Sequence, residues 1–168
     1  MSSVEVFVVG VDDSPGSRLA LEYAAAEAVL RGAVLRVVST FESSGMFGAR
    51  YGVPIPVSDE QITKNIEAET EALVNEVVRT LPEPPRLEVV VRVGSAGAVL
   101  TAESSTADLL VVGHQGRGAI ASTLLGSVGM HCVLHAHCPV TVVRPRTNRD
   151  SEAMPAEKTA ADSRRAID

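Results

Sequence analysis

Short apolar runs and longer stretches with helical spacing alternate along this chain. The runs at 4–11, 33–41, 86–93, 108–112 and 139–143 have strand length and are rich in Val, and the first is apolar almost throughout. Continuous rather than alternating character marks a strand covered on both faces. After the first run, Asp13 or Ser14 can cap a helix and Pro15 fits its first turn. Leu19, Tyr23, Ala26 and Leu30 then share one helical face, and Gly32 ends the helix. Ser58 with Gln61 makes a capping box ahead of a long helix. Its buried face reads as Ile62, Ile66, Leu73 and Val77, and it stops near Leu81 and Pro82. Shorter helices are expected at about 98–104 and 122–134.

The strand–helix order predicts a parallel sheet with right-handed crossovers and helices on both faces. In such sheets ligands sit beyond the carboxyl ends of the strands. The two most polar strand ends, at 10–13 and 113–118, fall at that edge. Between 42 and 57 the chain carries Gly45, Gly48, Gly52, Pro54 and Pro56, which reads as a long loop able to cover a site. After Arg144 and Pro145 the composition turns to charge and Ala, so 1–145 reads as one domain and 146–168 as a mobile tail.

Composition narrows the function. The chain has 21 Asp+Glu against 15 Lys+Arg, a net charge of −6, 3% aromatics and no Trp, so a nucleic acid finds neither a basic surface nor a stacking platform. No apolar stretch approaches the roughly 18 residues of a membrane span, and no basic leader is visible, so a soluble, cytoplasmic protein is expected. Cys132 and Cys138 are too few for a disulfide scaffold and read as reduced thiols.

The segment 109–129, LLVVGHQGRGAIASTLLGSVG, carries the chemistry. Gly116 and Gly118 follow a strand ending at Gly113, and Gly126-Ser127 opens the next helix. Glycines let backbone N–H groups approach an anion, and a helix start aims them at one point. No carboxylate occurs from Leu109 to Arg149, whereas Arg117, Arg144, Arg146, Arg149 and all four histidines do. A Walker A loop is excluded because the only lysines are Lys64 and Lys158. A dinucleotide GxGxxG belongs after the first strand, where this chain has GVDDSPG. His131, Cys132, His135, His137 and Cys138 offer metal-ligand types but no CxxC pair, and they read as packing residues. Ser127, His114 and Asp12 supply triad residue types without a GxSxG elbow.

The pattern GxxG, nine residues, then Gly-Ser resembles the nucleotide-binding signature of the universal stress protein family. VVGVDDSPGS near the start, LRVVS in the second strand and LLGSVGMHCVLHAHCPVTVVRP near the end extend the likeness over 4–145. The expected fold is a five-stranded parallel sheet in the order 3-2-1-4-5 with helices on both faces, Rossmann-like. The resemblance implies ATP as ligand, with Mg²⁺ through the phosphates. Gly10, Val11 and Asp12 would lie along the nucleoside and Val37 against adenine. Gly113, Gly116, Arg117, Gly118, Gly126, Ser127 and Val128 would hold ribose and phosphates. It also implies a homodimer through the last strand, here Val140, Thr141, Val142 and Val143, and a stress-response role exercised by nucleotide occupancy. Slow ATP hydrolysis or phosphotransfer, and AMP or cyclic AMP as ligand, are the alternatives.

Overall fold

The computed structural model describes residues 4–43, 58–116 and 125–145. The segment containing Arg117 and Gly118, most of the glycine- and proline-rich loop, and the tail at 146–168 lie outside the described residues. Five strands, β1 (Val6–Val11), β2 (Val34–Phe41), β3 (Arg86–Val93), β4 (Leu109–Gly113) and β5 (Val140–Val143), form one parallel sheet in the order β3-β2-β1-β4-β5. The strand order is the expected one. Helices α1 (Pro15–Arg31), α2 (Asp59–Val78), α3 (Ala96–Glu103) and α4 (Ser127–His135) supply the crossovers.

Side-chain parity divides the core into two layers. Phe7 and Val9 of β1, Leu35 and Val37 of β2 and Val111 of β4 pack with α1 and α2. Val8, Val38, Leu110 and Val112 pack on the opposite face with Leu100 of α3 and Cys132 of α4. Successive strand residues face opposite sides, and the apolar runs therefore feed both layers.

The buried face of α1 differs from the expected stripe. Ser17, Ala20, Leu21, Ala24, Ala25 and Ala28 face the core, whereas Leu30 is 79% exposed and Tyr23 is on the surface. One residue rotates a helical position by about 100°, so a stripe read from the bulky residues misses a seam of alanines. At its start α1 comes close to the strand ends: a Cβ on Gly113 would lie 2.6 Å from the Gly16 carbonyl, and one on Gly16 would collide with the Gln115 carbonyl. Ser14 is the N-cap, accepting from Ser17 N at 3.1 Å, and Asp13 is exposed with φ 62°. Gly32 closes the helix at φ 64°, its N–H bonding back to Ala28 and Val29.

In α2 the fully buried positions are Thr70, Val74, Val77 and Val78, with Ile62, Ile66 and Leu73 only partly covered. Ser58 caps this helix at 3.3 Å to Gln61 N, but the Gln61 amide turns to Asn65 at 3.0 Å, so the box closes on one side only. A buried hydroxyl pair, Ser39 and Thr70 at 2.8 Å, ties α2 to β2.

Candidate functional site

Of the helix N-termini at the carboxyl edge of the sheet, those of α1, α3 and α4 differ in their caps. At α1 the donors are satisfied internally. Asp12 Oδ1 accepts from Ser14 N at 3.2 Å and Ser14 Oγ at 2.6 Å, Ser17 Oγ donates to Ser14 O at 3.0 Å, and Asp12 N donates to Ser17 Oγ at 3.2 Å. By contrast, α3 and α4 start at Ser95 and Gly126 with no side-chain cap bond. The first-turn N–H groups of α4 are held in place by the backbone: Gly126 N donates to His114 O at 2.9 Å, and His114 N donates to Val143 O at 2.8 Å. A helix start without a side-chain cap among the described residues, its N–H groups aligned with the helix dipole, favours an anion.

These elements enclose a cavity of about 460 Å³. Gly10, Val11, Asp12, Gly113, Gly116, Gly126, Ser127 and Val128 line it. Val37 does not: it is fully buried in the layer shared with α1 and α2. Its neighbour Val38 lines the cavity with Leu100 and Val112, making an apolar slot. The β2 valine on the cavity wall is thus one residue beyond Val37, and a one-residue step in a strand changes the face. Thr40, Ser17 and Gln115 add polar groups to the wall that residue spacing did not indicate. Each comes from an element remote from the glycine segment, except Gln115, whose position between Gly113 and Gly116 was the available signal.

Close approach explains two of the glycines. A Cβ on Gly10 would lie 2.6 Å from Leu100 Cδ1, and one on Gly116 would lie 2.7 Å from Asp12 Oδ2. Asp12 is the sole ionisable side chain among the described lining residues. Among the described residues, the groups this part of the wall can offer an anion are therefore backbone donors rather than cationic side chains.

His114 is buried at 9% exposure, and its Nε2 has no hydrogen-bond partner among the described residues. A Ser127–His114 relay is accordingly not assembled. Burial pushes the Cys132 thiol up to about 11, and burial together with the Asp108 charge raises that of Cys138. Both cysteines are free and protonated near neutrality, which removes them as nucleophiles. No helix among the described residues is long and apolar enough to cross a membrane.

A parallel sheet in this order, with helices on both faces and a glycine-walled cavity at its carboxyl edge, defines a Rossmann-like α/β protein. The profile of the universal stress protein family matches residues 4–144, and the chain belongs to that family. Universal stress protein Rv1996 of Mycobacterium tuberculosis is 32% identical over 162 residues, covering 87% of this chain and 50% of the relative. The chain thus spans about half the length of the curated relatives it matches first. Universal stress protein UspA from Lactobacillus plantarum shares the fold at a TM-score of 0.66 and 19% identity, with 86% of this chain and all (100%) of that chain covered. A universal stress protein from Archaeoglobus fulgidus, solved in complex with dAMP, is 25% identical with a TM-score of 0.55, covering 84% of this chain and 98% of that one.

Proposed function

We propose that the cavity binds an adenine nucleotide and that occupancy, rather than turnover, is the output of this cytoplasmic stress-response protein. The observation that carries this reading is the convergence of the uncapped start of α4 with the Gly113–Gly116 backbone, beside the slot formed by Val38, Leu100 and Val112. One end offers N–H donors to phosphate and the other an apolar surface to a base. A volume of about 460 Å³ lies within the roughly 300–1,000 Å³ of small-molecule sites. The dAMP bound by the Archaeoglobus relative supports the same ligand class.

ATP with Mg²⁺ is the ligand assigned first, with Arg117 and Gly118 completing the phosphate contacts and the cation offsetting the Asp12 carboxylate. AMP or cyclic AMP is a second reading with its own observation: the described lining has no cationic side chain, and fewer phosphate charges need fewer donors. Binding acts by shifting a conformational or partner equilibrium through differential affinity. The assembly is a homodimer through the outer edge of β5, an uncharged strand, whereas the β3 edge carries Arg86, Glu88 and Arg92 of the kind that blocks pairing.

The test is to purify the protein without added nucleotide, denature it, and identify what is released by chromatography and mass. Near-stoichiometric ATP supports the first reading, and AMP or cyclic AMP the second. An empty protein that also ignores added ATP, AMP and cyclic AMP with Mg²⁺ overturns both.

A further inference from the structure

Outside the cavity, one pair of side chains stands apart. His131 and His135 lie one turn apart on α4, both solvent-exposed, with ring centroids 4.7 Å apart and planes tilted by 53°. His131 is positioned by the neighbouring helix: a Cβ on Gly97 would fall 2.9 Å from its Cγ and Cδ2, so only glycine lets α3 pack against that ring. One imidazole is therefore braced before any ligand arrives, and the other stands within reach on the same helix. The expectation that this face only packs does not account for two exposed, adjacent imidazoles.

We propose that His131 and His135 form a surface site for one divalent d-block cation, Cu²⁺ most tightly and Zn²⁺ or Ni²⁺ after it. Imidazoles at i and i+4 present nitrogens to a common point, the arrangement used by helical HExxH zinc sites. A metal held at ~2.0–2.1 Å by each nitrogen requires those nitrogens about 3 Å apart, a spacing that rotation of the His135 side chain brings within reach of the braced His131 ring. No group of three or more His, Cys, Asp or Glu gathers into a metal cluster among the described residues, so the protein supplies two ligands and water the rest.

The elements packed around the pair bring few charged groups to it. β4 and β5 carry no ionisable side chain, and α3 has only Glu103, which is engaged by Arg36 at 3.3 Å and Arg92 at 3.0 Å. Affinity for a site of this donor set follows the Irving–Williams order, which places Cu²⁺ above Zn²⁺ and Ni²⁺. His131 also separates α4 from α3, and both helices line the cavity at their starts through Ser127 and Ala96. The site itself does not depend on the nucleotide reading.

Calorimetric titration of the full chain, without a polyhistidine tag, with CuCl₂ and ZnCl₂ tests the proposal. The expected result is saturable one-to-one binding near neutral pH, weakened by roughly tenfold or more in either His131→Asn or His135→Asn and retained in His137→Asn. If His131→Asn disturbs packing at Gly97, His135→Asn alone decides. Absence of saturable binding, binding that survives His135→Asn, or binding abolished by His137→Asn overturns the assignment.

Discussion

Replacing Gly116 by Ala tests how the glycine loop and the β1 tip are fitted together. An alanine Cβ would lie 2.7 Å from Asp12 Oδ2, against ordinary contact beginning at 3.4 Å, so the carboxylate must retreat by about 0.7 Å. Asp12 is not a loose chain end. Its Oδ1 holds Ser14 N at 3.2 Å and Ser14 Oγ at 2.6 Å, and Ser14 Oγ in turn caps α1. A hydrogen bond to a charged group contributes about 1.5–3 kcal/mol, and a partial loss of these bonds predicts destabilisation by about 1–2 kcal/mol. Urea unfolding of wild type, Gly116→Ala, Asp12→Ala and the double variant measures this as a double-mutant cycle. The Gly116→Ala penalty should largely vanish in the Asp12→Ala background, giving a coupling of about 1–2 kcal/mol between the sites. An equal penalty in both backgrounds would refute the contact as its cause.

Further outcomes follow from neighbouring features. Gly16→Ala meets backbone, the Gln115 carbonyl, and should cost about 1–3 kcal/mol as an overpacked contact, read as a lowered thermal midpoint. The Cys132 thiol, raised from 9.0 to about 11, stabilises the fold fully below about pH 9; that contribution is lost as pH rises toward 11, by roughly 2–3 kcal/mol, and should disappear in Cys132→Ala when stability is followed against pH. Glu103→Gln removes the acid shared by Arg36 and Arg92 and should lower stability by about 1–2 kcal/mol in urea. Thr141→Asp on the β5 edge should convert a dimer to a monomer in sedimentation velocity, whereas an unchanged sedimentation coefficient would count against pairing there.

The parts of the fold readable from residues were those with local causes. β3 stops at Val93 just before Gly94, α1 begins at Pro15 after its Ser14 cap and stops at Arg31 before Gly32, and each boundary follows from turn or cap chemistry. The faces were less readable because the apolar runs are continuous. Val37 and Val38 are both hydrophobic and both buried, so only sheet packing decides which one meets the cavity. In α1 the buried face is mostly alanine, and Leu21 is its one bulky residue. The glycine positions of the site were legible from their spacing, but Leu100, Thr40 and Ser17 reach the same cavity from three other elements. That convergence is a property of the tertiary fold.

The most direct test of the central claim is calorimetric titration of ATP, AMP and cyclic AMP, with and without Mg²⁺, into wild type and a Thr40→Trp variant that fills the slot. The account predicts one-to-one binding of at least one of these nucleotides by the wild type and its loss in a Thr40→Trp protein that still unfolds cooperatively. Undiminished binding by that variant, or none by the wild type, would contradict it.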